Sequence, residues 1–407
     1  MKSPTVLIIG LVWPEQISSA AGKRMLQLIK LFNENSYKVI FVSAASESEY
    51  SQDLLLLNVI SERIVLNSDT FDKCLQDINP TIVLFDRFVM EEQYGWRVAE
   101  QCPNAIRILD SEDLHFLRAA RNSALKSNQN LSDDDLLSEP IANREIASIL
   151  RCDLTLIISE FEMNLLQRLF NINVNLLHYI PLFAEHDLDL RSFESRTDFL
   201  FIGNFLHFPN LDAVRHLKED IWPELRDRIP TSKLIICGAY PTQEVLQMHN
   251  SKSRIVVKGR VPDAIEVIGA AKVMLAPIRT GAGIKGKLLE AISTGTPSVT
   301  TTIGAEGIAG VYDWPGAISD TISDFVNAAT LLYQSEEAWR SCQTNRVAIL
   351  QRFDEKNFVE DLLLTISRIQ QNVKQHRNRN FYGKLLQHHT MTSTKYMSLW
   401  ISEKNKQ

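Results

Sequence analysis

A glycine-containing stretch in the second half of the chain has the residue types that bind phosphate groups. Its sequence, KVMLAPIRTGAGIKGKLLEAISTGTP (272–297), predicts a strand that ends at Ala276, a sharp loop over 280–283 and a helix from about 284 to 293. Glycines let backbone amides approach a ligand closely, and the free N–H groups at a helix start attract anions. The pattern therefore predicts a phosphate-binding site over 280–287.

Two lysines and a glutamate add charge to this predicted site. Lys285 and Lys287 stand at the positive end of the helix dipole, which costs about 0.3–1 kcal/mol each unless an anion compensates. A diphosphate would supply that anion. Glu290 lies two turns along on roughly the same face, where its carboxylate can accept hydrogen bonds from both hydroxyls of a ribose. Taken alone, Glu290 would equally well be a solvated helix residue.

The same glycines also spell the dinucleotide fingerprint GxGxxG. Gly281, Gly283 and Gly286 have that spacing, and Glu306 stands 20 residues after the last of them. This is the fourth strand-to-helix turn of its half, however, whereas NAD-binding folds carry the motif at the first turn. The first turn here, after Gly203, lacks it. An NAD-dependent enzyme is therefore the less favoured alternative.

Composition excludes several classes of protein. Residues 1–195 hold 17 Lys and Arg against 28 Asp and Glu, and the remainder hold 26 against 21. The acidic first half argues against a nucleic acid that tracks across both halves, while the mildly basic second half suits a small anionic ligand. Five scattered cysteines without a CxxC spacing predict a reducing compartment and no zinc site. Since Pro14 interrupts the apolar start, we expect a cytoplasmic protein without a secretion signal.

Short apolar runs alternate with amphipathic stretches in both halves, which is typical of parallel sheets covered by helices. The repetition predicts an α/β protein of two Rossmann-like, doubly wound parallel-sheet domains. Ligands bind at the carboxyl ends of such strands, so we expect the site in the cleft between the domains. The predicted strands are 5–10, 38–43, 60–66, 81–86, 106–110 and 154–159 in the first half, and 199–203, 233–238, 254–258, 272–276 and 298–302 in the second.

The periodicity also predicts where the domains begin and end. A polar linker over 184–198 separates a first domain, 1–183, from a second, 199–352. A helix over 353–372 follows, and it could cross back to pack on the first domain. The tail, 373–407, holds seven Lys and Arg, three His and one acid, with interspersed aromatic residues. It predicts either contact with an anionic membrane surface, at about 1 kcal/mol per basic residue, or a mobile or packed terminus.

Three segments of the second half, in this order, resemble a known family. They are FLFIGNFLHFPNLDAVRHLKEDIWPELRDRIPTSKLIICG (199–238), VKGRVPD (257–263) and APIRTGAGIKGKLLEAISTGTPSVTTTIGAEGI (276–308). Together they resemble the donor half of the group 1, family four retaining glycosyltransferases, which have the GT-B fold. LIIGLVWPEQISSAAGKRM (7–25) and ILDSEDLHFLRAAR (108–121) resemble the first half of these enzymes more loosely.

The resemblance implies a hexosyltransferase-like enzyme of polysaccharide or glycan biosynthesis. It would move a sugar from a nucleoside diphosphate sugar to an acceptor hydroxyl, with retention of anomeric configuration and without a metal or other cofactor. The second domain would bind the nucleotide sugar, and the first would face a glycan, lipid-linked or small-molecule acceptor. No nucleic-acid partner is expected, and peripheral contact with the inner face of the membrane through the tail is an option.

The resemblance also assigns roles to individual donor-site residues. The segment 280–287 would hold the diphosphate, Glu290 the ribose and 259–261 the base. Lys285 would act in catalysis by stabilising charge on the leaving diphosphate. The donor-binding candidates are Gly203, Asn204, Gly259, Arg260, Val261, Arg279, Thr280, Gly281, Gly283, Ile284, Lys285, Lys287 and Glu290.

On the first domain, the resemblance implies two segments that face the donor phosphates or the acceptor. One is the loop after the first strand, and the other is the end of the strand at 106–110, where the family often supplies a sugar-contacting group. His115 is the second candidate for a catalytic role. The first-domain candidates are Ser18, Ser19, Ala20, Gly22 and Arg24 in one segment, and Asp110, Glu112, Asp113 and His115 in the other.

Two departures from the family pattern bear on the donor and on activity. The earlier of two family glutamates spaced eight residues apart is Ala282 here. The Arg and Lys that often follow the first donor-domain strand are replaced by Asn204, His207 and Asn210. The two lysines of the loop could supply the missing charge. Another sugar-nucleotide enzyme, such as an epimerase, and a GT-B protein that binds without catalysis therefore remain alternatives.

Two acidic motifs have a structural explanation. Asp133, Asp134 and Asp135 follow Ser132, which predicts a helix N-cap with acids in the first turn rather than the metal-binding acidic motif of the other glycosyltransferase fold. The segment 159–162 likewise predicts a capping box at the start of the next helix.

Overall fold

The computed structural model describes residues 3–186 and 189–404. Within them two sheets form, and every strand pair recorded in either sheet is parallel. The first sheet has the order β3-β2-β1-β4-β5-β6-β7 and the second the order β10-β9-β8-β11-β12-β13. Strand order reverses beside β1 and beside β8, which is the doubly wound topology. The predicted fold class is confirmed.

The strands are buried apolar runs, as expected of sheets covered on both faces. In β1, Val6 and Ile8 enter one core and Leu7 and Ile9 the other, and all four are 0% exposed. The first-domain strands are β1 Thr5–Gly10, β2 Lys38–Ser43, β3 Ile60–Arg63, β4 Ile82–Asp86, β5 Ile106–Asp110, β6 Leu154–Ile157 and β7 Leu177–Tyr179. The second-domain strands are β8 Thr197–Ile202, β9 Leu234–Cys237, β10 Ile255–Gly259, β11 Ala271–Ala276, β12 Ser298–Thr300 and β13 Gly316–Ile318.

Helices connect these strands and cover both faces of each sheet. In the first domain they are α1 Ala20–Glu34, α2 Thr70–Ile78, α3 Phe88–Gln101, α4 His115–Ser127, α5 Asp133–Ser138, α6 Pro140–Arg151 and α7 Glu160–Phe170. In the second they are α8 Phe208–His216, α9 Trp222–Arg228, α10 Gln243–Leu246, α11 Ala264–Ala270, α12 Gly286–Ser293, α13 Thr302–Ala305, α14 Ile322–Gln334, α15 Glu336–Ser341 and α16 Arg346–Gln351. The chain continues with α17 Val359–Gln371, α18 Val373–Arg379 and α19 Phe381–Lys404.

The last three helices pack on the first domain. Leu362, Ile366 and Ile369 of α17 are buried in the same core as β1. The side chain of Arg377, in α18, donates to both carboxylate oxygens of Asp153 at 2.7 Å, and α19 lies against α3 and α6. The tail is therefore helical as far as residue 404. Some of its basic side chains form ion pairs with acidic residues of the first domain. Residues 405–407 lie outside the described part.

The predicted linker, 184–198, follows the last strand of the first sheet but overlaps the first two residues of β8, which begins at Thr197; residues 187 and 188 lie outside the described range. The predicted capping of α5 is confirmed, since Ser132 and Asp135 form a capping box. Across 3–186 and 189–404, no helix combines the length and the apolar character needed to span a membrane.

Candidate active site

A cavity of about 700 Å³ lies between the two domains. Its walls come from the carboxyl ends of β1, β4 and β5 in the first domain, and from the glycine loop and the start of α12 in the second. Seventeen of the predicted site residues line it: Ser18, Ser19, Ala20, Glu112, Asp113, His115, Gly203, Asn204, Arg260, Val261, Thr280, Gly281, Gly283, Ile284, Lys285, Lys287 and Glu290. The structure thus brings residues from both halves of the chain to one cleft.

The glycine loop needs the conformational freedom that the sequence provides. Gly281 has a φ of 117° and Gly283 a φ of 65°, in the range that side chains rarely adopt. A Cβ atom on Gly283 would also lie 2.9 Å from the Cβ of Asp113, across the cleft. The loop therefore reaches the opposite domain closely only because it carries glycine there.

The first domain holds this loop through contacts that the sequence did not predict. The side chain of Arg121 donates to the carbonyl oxygen of Gly281 at 2.8 Å and to both carboxylate oxygens of Glu306. The Gly283 N–H donates to the carboxylate of Glu162 at 3.0 Å, and that carboxylate also accepts from the Leu114 amide. The Gly283 amide is thus engaged by protein, so the phosphate-facing donors must lie further along the loop.

The start of α12 offers such donors. The helix begins at Gly286, and Lys285 is its N-cap residue, with no side-chain hydrogen bond to the helix. Within the described residues, the amides of Gly286 and Lys287 have no recorded acceptor. An added Cβ on Gly286 would lie 3.3 Å from the Cβ of Ala20, so the start of α1 packs directly against this end of the helix. The geometry is that of an anion site at a helix start.

The two lysines stand beside these free amides. The Lys285 Nζ donates to the carbonyl oxygen of Gly283 at 2.9 Å, and the Lys287 Nζ donates to Asn210 and lies 4.5 Å from the centre of the Phe201 ring. Burial lowers the pKa of Lys285 to about 8 and that of Lys287 to about 7. Nearby carboxylates, Glu306 for Lys285 and Glu290 for Lys287, offset part of that effect.

Glu290 faces the cavity and already has a cationic partner. Its carboxylate accepts from the Lys23 Nζ at 3.2 Å, and the same ammonium group donates to Glu185 at 3.2 Å. Burial acts to lower the pKa of Lys23, but the two carboxylates raise it above its usual value. Lys23 was not predicted from the sequence, although it stands one residue before the predicted Arg24. A ribose at Glu290 would share or displace this contact between the domains.

Near the predicted base-binding segment, aromatic rings from both domains meet, with the centres of the Tyr50 and Tyr240 rings 5.5 Å apart, although neither residue lines the cavity. The guanidinium of Arg260 lies 4.2 Å from the centre of the Tyr50 ring, and the Tyr240 hydroxyl donates to Glu15 at 2.7 Å. Arg260 and Val261 do line the cavity. Gly259 is not among the described lining residues, since it ends β10 and its carbonyl accepts from the Gly238 amide at 2.7 Å.

Four further predicted residues do not line the cavity. Arg24 and Asp110 are buried and pair with each other, with Nε 2.9 Å from Oδ1, so their positions place them in the core rather than against a sugar. Arg279 makes a two-point ion pair with Asp212, which anchors the loop to α8 instead of contacting phosphate. A Cβ on Gly22 would lie 2.2 Å from the carbonyl oxygen of Glu15, so this glycine serves close packing of the backbone.

A charged cluster lies at the ends of β4 and β5. The Asp113 carboxylate accepts from Arg118 at 2.7 Å, and its Oδ1 is 3.5 Å from the Nε2 of His115. Burial lowers the pKa of His115 to about 4, so the imidazole is neutral at physiological pH. Arg87, Glu112 and Arg118 also line the cavity. Arg87 could have been found from the sequence, because it directly follows the predicted strand 81–86.

Comparison with known proteins bears on both domains. Residues 196–335 match the family model of the group 1 glycosyl transferases. HepE from Anabaena, in complex with UDP and glucose, has a TM-score of 0.64 at 12% identity, over 89% of this chain and 99% of that chain. Sucrose-phosphate synthase from Thermosynechococcus elongatus has a TM-score of 0.64 at 13% identity, over 90% of this chain and 99% of that chain.

A third similar structure is the pneumococcal O-GlcNAc transferase GtfA in complex with UDP and GlcNAc. It has a TM-score of 0.62 at 13% identity, over 91% of this chain and 99% of that chain. No curated protein matched the sequence. At these identities the structural likeness shows the fold, and the family model adds a match in sequence. The chain therefore has the GT-B fold, and its second domain matches the group 1 glycosyl transferases over residues 196–335.

Proposed function

We propose that this chain is a glycosyltransferase that moves a sugar from a nucleoside diphosphate sugar to an acceptor hydroxyl. The observation that carries the proposal is the start of α12, where unpaired amides and two half-buried lysines face a cleft closed by the other domain. The family match covers this segment. A nucleoside diphosphate is the ligand whose charge suits the two lysines and whose ribose hydroxyls suit the Glu290 carboxylate in the same cavity.

The catalytic task is to stabilise the negative charge that builds up on the leaving diphosphate. Preorganised amides and ammonium groups in a site that excludes water do this at little reorganisation cost. In the proposed reaction the bond from the anomeric carbon to the diphosphate oxygen breaks, and a bond to the acceptor oxygen forms on the same face. The acceptor's proton passes to an oxygen of the departing phosphate, so no protein base and no metal is required. The neutral His115 would then contact the sugar rather than carry charge.

The direct test measures product formation with a panel of UDP-, GDP- and ADP-sugars and simple sugar acceptors. We expect transfer from one nucleotide class, unchanged by EDTA, with NMR showing the donor's anomeric configuration in the product. A variant with both Lys285 and Lys287 changed to alanine is the matched negative control. Free-sugar epimerisation would instead support an epimerase, and a purified chain that bound none of these nucleotides would contradict the proposal.

Changing Glu290 to alanine should remove discrimination between UDP and 2′-deoxy-UDP. If the Glu290 carboxylate accepts hydrogen bonds from both ribose hydroxyls, the Kd of UDP should be about tenfold lower than that of 2′-deoxy-UDP, because a hydrogen bond to a charged group contributes about 1.5–3 kcal/mol. Calorimetry on the wild type should show that preference, and the variant should bind both nucleotides within about twofold. Lys23→Ala is the control, since it removes the partner of Glu290 but keeps the carboxylate. Preference for UDP that survived in Glu290→Ala would place the ribose elsewhere.

We further propose that the outer face of α19 contacts an anionic membrane surface. Met391 and Ser398 of this helix are buried against the first domain. Large apolar side chains lie on the opposite face and are exposed: Phe381, Tyr382, Leu385, Tyr396, Leu399 and Trp400. Lys404 stands beside Trp400 and Lys384 is exposed, whereas Lys395 pairs with Glu100 of α3; the segment holds a single acid. Aromatic residues with flanking lysines suit the interface of an anionic bilayer.

Changing both Phe381 and Trp400 to alanine should weaken binding to vesicles that contain about one-third anionic lipid. Each side chain buries apolar surface worth about 1.5–3 kcal/mol when it enters the interface, so the loss should exceed tenfold. Vesicle flotation with the full chain measures it. Val311→Ala, at an exposed residue of the second domain, is the control. Equal flotation of both variants, or none for the wild type, would contradict membrane contact.

A further inference from the structure

Two residues at the floor of the cavity have backbone conformations that disfavour their own side chains. Arg87 directly follows β4 and has φ 71° and ψ 159°, a region that essentially only glycine adopts. Glu112 follows β5 by two residues and has φ 62°. The two strands are parallel neighbours, with Asp86 opposite Asp110, so the strained residues lie side by side and both line the cavity. Glycine would relieve the strain at either position, which indicates that the side chains are retained for another reason.

The fold uses the polar groups of these side chains only in part. The guanidinium of Arg87 forms an ion pair with Asp86, whose Oδ1 is 3.5 Å from its Nε, and among the described residues it has no hydrogen bond. Glu112 is 9% exposed, and its buried Oε1 has no hydrogen-bond partner in the described structure. Buried polar groups in folded proteins are nearly always paired. An unpaired carboxylate oxygen on Glu112, beside an arginine with one ion pair recorded among the described residues and at the same cavity, therefore indicates a ligand.

The charges around the pair favour a neutral, hydroxylated ligand over a phosphate. Arg24 is paired with Asp110, and Arg118 with Asp113, so neither arginine is available as a spare cation. Burial and the neighbouring Asp110 and Asp86 raise the pKa of Glu112 to about 8, against the opposing influence of Arg87 and Arg24. A neutral carboxyl both donates and accepts hydrogen bonds, as a sugar hydroxyl does.

We propose that Arg87 and Glu112 form a subsite for two neighbouring hydroxyl groups of a sugar. The Arg87 guanidinium donates to both hydroxyl oxygens, and the Glu112 carboxyl exchanges hydrogen bonds with one of them. The inference rests on the proposed sugar transfer and adds a contact outside the donor loop. The sugar is either the one carried by the nucleotide or the acceptor, because both would meet at this floor.

Calorimetry on full-length variants separates these sources. Arg87→Ala and Glu112→Ala should bind UDP like the wild type. If the donor sugar occupies the subsite, the variants bind the preferred UDP-sugar at least about tenfold more weakly than the wild type does, although they bind UDP equally well. If the acceptor occupies it, UDP-sugar affinity is unchanged and the KM for a sugar acceptor rises by a similar factor, while donor hydrolysis by water is retained. Glu112→Gln should keep most of the function, because an amide also donates and accepts. Arg63→Ala, at an exposed arginine of the same domain, is the control.

Thermal unfolding tests the strain independently. Arg87→Gly should have a higher Tm than Arg87→Ala, whereas at most positions the glycine variant is the less stable of the two. Both variants should lose the sugar contact. Should the alanine variants fail to fold, Arg87→Lys and Glu112→Gln carry the test, with the lysine expected to lose the two-point contact. Unchanged affinity and KM across all variants would overturn the subsite. A wild-type chain that bound UDP-sugars without turnover would contradict the proposed function instead, and the binding comparison would still stand.

Discussion

Changing Lys285 and Lys287 together to alanine should weaken nucleoside diphosphate binding by about 10³-fold. Each lysine contributes a charge-assisted contact worth about 1.5–3 kcal/mol, or roughly tenfold to a hundredfold in Kd. Both ammonium groups stand where α12 begins, in a segment with no other lysine or arginine from 280 to 290. Calorimetry with the full chain and UDP or GDP measures the loss of affinity. Each single variant should lose about half of the binding free energy that the double variant loses.

The same substitution should leave the free protein as stable as the wild type or more stable. Burial lowers the pKa of both lysines, which means that the empty site disfavours their charge. Tm without nucleotide should therefore not fall, whereas the increase in Tm that UDP gives the wild type should disappear. Lys252→Ala, at an exposed lysine of the same domain, controls for net charge. An unchanged Kd in the double variant would show that the diphosphate binds elsewhere.

Nucleoside diphosphate affinity should fall steeply as pH rises above 7. In the free site the pKa of Lys287 is about 7 and that of Lys285 about 8, and a bound diphosphate raises both because it favours the charged form. The complex then holds more protons than the free protein, so binding is strongest below pH 7 and weakens through both values. Between pH 7 and 9 the loss should be on the order of 500-fold, about 50-fold from Lys287 and about tenfold from Lys285, as their free pKa values imply.

Calorimetry in buffers of different ionisation enthalpy tests this coupling. At pH 8 binding should take up about half a proton at Lys285 and nearly one at Lys287, as their free pKa values of about 8 and 7 imply. A terminal phosphate ionises near pH 6, so its own titration does not interfere above pH 7. Lys287→Met should abolish the larger part of the uptake. A flat affinity from pH 7 to 9 would mean that neither ammonium group meets the phosphates.

The sequence was sufficient for the sheets because buried parallel strands are continuous apolar runs. The predicted strands 5–10, 38–43 and 106–110 match β1, β2 and β5. The three-residue strands at Leu177–Tyr179 and Gly316–Ile318 were not predicted; each lies at the edge of its sheet, unlike the equally short β12, which was predicted within 298–302. The start of α12 was predicted two residues early, because only the tertiary position of Lys285 shows that its backbone is extended.

The donor loop was predicted through local chemistry, whereas its partners were not. Glycines and lysines within one segment reveal a phosphate site, but the contacts of Lys23 with Glu290 and of Arg121 with Gly281 depend on how the two domains face each other. Glu162 shows most clearly that a local sequence pattern predicts helix caps but not contacts between the domains. The prediction of a helix cap is confirmed for Ser159, which accepts from the Glu162 amide, while the Glu162 carboxylate instead reaches the loop at Gly283. No sequence pattern relates residues so far apart.

The placement of α17 and α19 has a consequence for how the chain reaches its native state. Both helices come after the second domain in the sequence, yet they complete the first: Leu362 and Ile366 of α17 are buried with β1, and Met391 of α19 is 3% exposed beside α3 and α6. As the ribosome makes the chain, the first sheet therefore emerges with part of its apolar surface still uncovered. That surface must wait for translation of the last fifty or so residues, a window in which chaperones would shield it from aggregation.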